Sequence, residues 1–307
     1  MTRRWIVSLV LHTSAVVFLV ATVSFLLLQV IPGDPAAVVA GLDADPSTVA
    51  AVRAQMGLDR PWYTRYLDWI GGLLTGDLGE SYVQRAPVAS LVGQRLPVTA
   101  SLAGCALVLS FLLAGILALA SRAGRVARGA VRTVEYAAFA FPQFWVGLLL
   151  LSFFGFRLGW FPVVGGEGFR RLVLPATALA MGNAAVLSRT LRAGLDEQLH
   201  SAHVVAARAL GLPRWRIAVA HVLPLAVIPA VTVVAIQAGY LLAGAIVVEQ
   251  VFGIAGLGRL ALTAIAQRDL PVIQGVVLVF GVAFPVFSLA GDLALVALWP
   301  RLRQEPS

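Results

Sequence analysis

The residues of this chain that could do chemistry are few, and their spacing decides which chemistry is open to them. His200 and His203 stand three apart, a helical spacing that could seat a metal, but no third ligand follows at usable spacing except the distant acids Asp196 and Glu197. No metal site is expected. Gly253, Gly256 and Gly258 do not make a dinucleotide fingerprint, because the order G-x-G-x-x-G is missing and no βαβ unit adjoins them. All 23 basic residues are arginine. Without lysine there is neither a Schiff base nor a P-loop. The single cysteine, Cys105, lies in an apolar run, which excludes disulfides, zinc clusters and cysteine-ligated iron–sulfur centres within the chain. No Ser–His pair within an apolar run, His-Glu-x-x-His site or paired intramembrane aspartates suggest a protease. No catalytic residue is expected.

What remains are polar groups set in apolar sequence: Glu135 and Asp292, which are ionisable, and the amides Gln143, Asn183 and Gln237. Ionisable groups at membrane depth are costly and so become functional candidates. Asp292 could also snorkel or cap a neighbouring helix, and Glu135 could pair with Arg132 or another arginine. The amides could line a solute path or bridge helices.

The elements that must position these groups follow from composition. Of 307 residues, 59% are apolar and 12% charged, against roughly 45–50% and about 25% in soluble domains. The balance excludes an ordinary soluble enzyme and predicts an all-α integral membrane protein, a single membrane domain over 1–307. Six transmembrane helices are expected at about 6–31, 99–120, 134–156, 172–194, 223–248 and 271–299. The first is too long for a secretory h-region. An even number of spans puts both termini on one side. The presumed inner segments hold 13 arginines and three acids, and the outer loops ten of each. Because the long first outer loop counts little toward orientation, N-in/C-in is favoured. The net charge of +8 is therefore a membrane-orientation signal with anionic lipid as its partner, not a nucleic-acid signal.

Two loops exceed simple connectors. In the external loop 32–98, Ser47 is placed to cap a short helix ending before Gly57, and Pro61 suits the first turn of another. Trp62, Tyr66, Trp69, Ile70 and Leu73 give that second helix one aromatic-apolar face, for the outer headgroup boundary or for the protein's own spans. In the cytoplasmic loop 195–222, Ala202, Val205, Ala206 and Ala209 form a small apolar face on a helix ended by Gly211-Leu212-Pro213. Such a face cannot anchor deeply in lipid. It fits a groove in another protein, or belongs to a plain linker helix.

At this point the motifs resemble a known family. Ala206-Ala207-x3-Gly211 followed by Leu223-Pro224 is similar to the cytoplasmic EAA loop of permease subunits in binding-protein-dependent ABC importers, specifically the dipeptide/oligopeptide/nickel permease family. The likeness extends to Pro32-Gly33-Asp34-Pro35, Arg65-Tyr66-Leu67 leading to Gly76-Asp77-Leu78-Gly79, Gly159-Trp160-Phe161-Pro162, Val248 through Gly258, and Arg268-Asp269-Leu270-Pro271. It departs at Val205, where the loop's glutamate would stand, and at His221, where an isoleucine would. No carboxylate at Val205 can therefore be given a pairing role.

The resemblance implies a type I importer permease fold in the bacterial inner membrane. It implies a non-catalytic subunit forming half of a translocation pore with a homologous second permease. Two cytoplasmic ABC ATPase domains, carrying ATP and Mg, would drive it, and an extracytoplasmic solute-binding protein would feed it. Ala202, Val205, Ala206, Ala207, Gly211, Leu212 and Pro213 would couple to the ATPase. Gln143, Asn183, Gln237 and Asp292 are candidates for the path. Asp77, Glu249, Phe252, Gly256, Arg268 and Asp269 are candidates for an external gate or binding-protein contact. Dipeptides, oligopeptides, nickel chelates, glutathione and haem all fall within the implied substrates. The alternative is an ion-gradient-driven secondary transporter using Asp292 or Glu135, a class that usually shows inverted repeats; no convincing repeat is found here.

Overall fold

The computed structural model describes residues 3–30, 33–41, 43–163 and 168–298. The expected span ends Ile31 and Trp299, Pro32 of the first motif, and the C-terminal Arg301 and Arg303 lie outside them. The described residues are helical apart from turns and one isolated antiparallel bridge between Glu80 and Pro87. They fall into two compact units, one within Met1–Ala100 and Ile254–Pro285, the other within Ser101–Gly253 and Val286–Ser307.

The first unit opens with α1 (Arg3–Val30), whose Ala21, Ser24 and Phe25 are buried. Three short helices follow: α2 (Pro35–Ala40), α3 (Pro46–Gln55) and α4 (Trp62–Thr75). Asp34 caps α2 by accepting the Ala36 N–H at 3.0 Å and pairs with Arg53 at 2.7 Å. The cap of α3 is Asp45, not the expected Ser47: Pro46 takes the first helical position, and one Asp45 carboxylate oxygen accepts both the Ser47 and Thr48 N–H groups. The Ser47 hydroxyl donates to that carboxylate and, with the Thr48 bonds, holds the Asp45 pKa below its ordinary 3.8. A depressed carboxylate contributes its full stabilisation above its unfolded pKa, so this cap is present at neutral pH and is lost as pH falls through the lowered folded-state value. On α4, Tyr66 exchanges a 2.8 Å hydroxyl bond with Thr22 and meets Phe25 edge-on at 5.3 Å, while Trp69 is buried. The aromatic face thus rests on the chain's own first helix.

Next comes α5 (Val88–Ala120), which starts well before the expected Thr99 and runs through Pro97. A mid-helix proline ordinarily kinks or ends a helix. Here the segment ahead of it is held by tertiary burial: Val88 and Val92 join Leu257, Leu260, Ala264, Val272 and Val276 in one core. Part of that core is α13 (Leu257–Ala266), a helix unforeseen within the loop after span five. The last long helix, α14 (Leu270–Leu298), approaches α1 so closely that a Cβ on Gly281 would stand 2.5 Å from Val20.

The second unit differs most from expectation in its third apolar run. Across the expected span 134–156 the chain forms two helices, α6 (Arg125–Ala140) and α7 (Gln143–Leu150), the latter continuing as a π-helical turn to Arg157, with a bend of 102° between them. Pro142 cannot donate, and Phe141 before it is driven to an extended ψ of 130°. The long helix α8 (Arg170–Leu199) is the most buried of the apolar helices and contacts α6, α7 and α12 (Ile228–Val251). Its run of alanines with Gly182 and Gly194 lets neighbours approach closely. Short helices α9 (Ala202–Ala209), α10 (Arg214–Ile217) and α11 (Leu223–Ala226) join α8 to α12, a π-helical turn at Ala218–Val222 separating the last two. Among the described residues, four helices are long and apolar enough to cross a membrane, or five if the bent pair is one span; Leu11–Leu26 of α1 is a shorter apolar stretch.

Candidate functional site

The candidates in the loop 195–222 form a small folded module. Leu195 and Leu199 at the end of α8, Val204 and Ala207 on α9, Leu212 beyond it, and Ile217 and Val222 make one apolar cluster, with Val204 fully buried and Ala207 at 4% exposure. Two more ties close it: the His203 ring Nε2 meets the His221 carbonyl at 3.2 Å, and Ser201 Oγ donates to the Gln198 carbonyl at 2.6 Å. Gly194 is needed where α8 crosses α11, since a Cβ there would lie 2.5 Å from the Ala226 carbonyl oxygen.

With Val204 and Ala207 turned inward, Ala202, Val205, Ala206 and Ala209 are exposed. Ala207, grouped from sequence with the coupling residues, therefore fastens the helix to its own chain, as does Leu212, which is only partly exposed. Gly211 has φ +73°, a left-handed conformation that lets the chain turn out of α9 into the exposed Pro213. Leu210, Trp215 and Val219 are exposed beside this face. His200 Nδ1 lies 2.7 Å from the Asp196 carbonyl oxygen. Among the described residues no three His, Cys, Asp or Glu side chains gather as a metal site.

The path candidates separate. Gln237 Nε2 donates to Asn183 Oδ1 at 2.7 Å, both residues buried, so this amide pair bridges α8 and α12. The Gln143 amide lies against Gly244, where any Cβ would collide with it. Asp292 is exposed on α14, beside Gly291, whose missing Cβ makes room for Ala235. Glu135 is buried and pairs with Arg192 at 2.5 Å, Arg189 standing 4.0 Å away, rather than with Arg132.

The external candidates belong to both units. In the second, Glu249 and Phe252 are buried, and the Phe252 ring fills the space beside Gly147. In the first, Asp77 Oδ1 accepts the Gly79 N–H at 2.8 Å and remains exposed. Asp269, 1% exposed, accepts the Ser81 hydroxyl at 2.5 Å and the Tyr82 N–H at 3.0 Å. Burial pushes the Tyr82 phenol pKa up from 10.0; nearby Arg65 opposes this and Asp269 adds to it. The adjacent Arg268 sits at a left-handed φ of 53° with its guanidinium against Gly33. Gly256 is the N-cap of α13, but the orphan N–H of Leu257 is satisfied from another helix: Thr99 Oγ1 on α5 accepts it at 2.8 Å.

Ser81 and Thr99 gave no sequence signal, because each works through a partner more than 150 residues away. Asp269→Ala should leave the Ser81 hydroxyl and Tyr82 N–H unsatisfied, at a cost of roughly 2–4 kcal/mol. A lower Tm in detergent would report it; an unchanged Tm would deny the anchor. Also within the first unit, a cavity of about 520 Å³ is lined by Arg60, Arg65, Asp68, Trp69, Tyr82 and Arg85 among others. The buried Trp69 Nε1 has no hydrogen-bond partner.

Comparison with known proteins gives the family of the chain. A family model for the N-terminal part of binding-protein-dependent transport system membrane components matches residues 1–103, and one for binding-protein-dependent transport system inner membrane components matches 106–304. The glutathione transport system permease protein GsiC of Escherichia coli is 36% identical over 303 residues, covering 98% of this chain and 99% of that protein. Its counterpart in Shigella boydii is 35% identical with the same coverage. Among solved structures, the MetNI methionine ABC transporter in an inward-facing conformation matches with TM-score 0.56 at 19% identity, over 68% of this chain and 96% of that one. An amino acid ABC transporter solved with histidines matches with TM-score 0.50 at 20% identity, over 69% and 94%. At such identities the likeness is one of fold. Nothing in these relatives supports an ion-gradient carrier. The chain belongs to the family of inner membrane components of binding-protein-dependent transport systems and is a non-catalytic, multi-pass permease subunit of an ABC importer in the bacterial inner membrane.

Proposed function

We propose that this subunit forms one half of a pore for di- or oligopeptides, glutathione among them. It crosses the membrane six times with both termini inside, pairs with a homologous permease, and receives solute from an extracytoplasmic binding protein. ATP and Mg are held by two partner ATPases. The observation that carries the reading is the split of α9: Val204 and Ala207 buried, Ala202, Val205, Ala206 and Ala209 exposed, so that a small-residue face is offered from a clamped base. An alanine-faced helix suits a protein groove. ATP-driven closure could bias the pore only as far as nucleotide affinity differs between its states, and a clamped helix transmits that difference as a lever. The substrate class is supported by the near full-length relatives that carry a glutathione transport name.

For solute contact, Gln143, Asn183, Gln237 and Asp292 remain the path candidates, and Asp77, Glu249, Phe252, Gly256, Arg268 and Asp269 the external ones. Purifying the tagged chain in mild detergent should bring down a second permease and ATPase subunits, and the reconstituted complex should take up labelled glutathione or dipeptide only with ATP. Accumulation against a gradient by the chain alone would overturn the reading. Orientation has its own test, in a Cys105→Ala background. A cysteine at Ser201 should resist a membrane-impermeant thiol reagent in intact cells, and one at Asp77 should label; the reverse pattern would invert the topology.

A further inference from the structure

In the second unit lies a charge cluster outside the candidate coupling, path and gate residues. Arg122, Arg128, Arg132, Arg189 and Arg192, with Asp196, line a cavity of about 230 Å³. The chain's own carboxylates answer only part of this charge. Asp196 pairs with Arg122 at 2.7 Å, and Glu135 with Arg192 at 2.5 Å, Arg189 lying 4.0 Å from the same Glu135 oxygen. Among the described residues, no carboxylate bridges Arg128 or Arg132. Five guanidiniums thus face two carboxylates. The Arg192 Nε is buried with no hydrogen-bond partner, so a donor is also unsatisfied at the cavity wall. Converging guanidinium forks match the oxygens of a phosphate better than any other common biological group.

We infer that this cavity binds a phosphate-bearing anion. Its surroundings favour a phospholipid headgroup as the source. Arg189 lies over the Tyr136 ring at 5.0 Å and the Phe139 ring at 6.0 Å, and Val134, Tyr136 and Phe139 are exposed, so apolar surface begins where the arginine cavity ends. A headgroup seated among the arginines could lay its acyl chains along that surface, as basic pockets beside membrane helices do with anionic lipids. That such a headgroup belongs to the cytoplasmic leaflet rests on the orientation proposed above; the phosphate chemistry does not.

The test uses the assembled transporter in neutral detergent, wild type against Arg128→Gln/Arg132→Gln. Native mass spectrometry would follow exposure to phosphatidylglycerol, phosphatidylcholine or inorganic phosphate. Wild type should retain phosphatidylglycerol over phosphatidylcholine by roughly tenfold, and the double variant should lose that preference. Displacement of the lipid by millimolar phosphate, with phosphate adducts in its place, would support the cavity but assign it to a soluble anion. Equal retention of both anions by wild type and variant would overturn the inference. So would a variant that sheds its ATPase subunits while keeping the lipid, because the arginines would then be a protein contact. A wild type that never holds ATPase subunits counts against the transporter reading instead.

Discussion

Ala206→Glu should lower ATP-driven uptake by roughly tenfold or more and strip the ATPase from the purified complex, while leaving the permease folded. Ala206 is exposed on α9, so its substitution adds a solvated carboxylate to the free chain, a change usually within about 0.5 kcal/mol. In a docked groove the same carboxylate would be desolvated without a partner, costing several kcal/mol; about 1.4 kcal/mol already makes a factor of ten. Ala207→Glu is the control with the opposite signature. It drives a charge into the Val204–Ile217–Val222 cluster and should unfold the module, exposing residues 195–222 to protease. Gly211→Val sits between the two. Nothing lies within 4 Å of a Cβ there, so its effect is confined to the left-handed backbone at φ +73°, worth roughly 1–2 kcal/mol, and Gly211→Asn should recover much of it. Unchanged ATPase recovery and uptake with Ala206→Glu would end the docking assignment.

Glu135→Gln should destabilise the subunit by roughly 2–4 kcal/mol, somewhat under the cost of leaving one member of a fully buried ion pair alone, because Arg192 is only part-buried. Glu135 and Arg192 have side-chain exposures of 2% and 16% and meet at 2.5 Å between α6 and α8. Without the carboxylate, Arg192 is a part-buried charge with Arg189 beside it and no counter-ion at that contact. Thermal unfolding in detergent should move down by on the order of 10 °C. The double variant Glu135→Gln/Arg192→Gln removes both charges and should recover most of the loss, giving a coupling well above 1 kcal/mol in the double-mutant cycle. A coupling near zero would show that the pair is incidental to the fold.

The sequence by itself determined the class of molecule. Long apolar runs must lie in lipid, where backbone groups are satisfied only by helices or closed barrels. The arginine distribution argues for an orientation, and the missing lysine excludes a P-loop. The break of α9 at Gly211 was equally legible, because a glycine followed by proline stops a helix through local backbone physics alone. The tertiary structure decided everything that depends on what a helix meets. Residues ahead of Pro97 extend α5 because α13 and α14 bury Val88 and Val92. Ala206 and Ala207 are the same residue type on adjacent positions, yet one faces out and the other is sealed by Ile217 and Val222. Glu135 chose Arg192 over the nearer-in-sequence Arg132, and Asn183 met Gln237 across 54 positions. A helix apolar on every side carries no directional signal in its sequence, so its inward face is set only when its neighbours arrive.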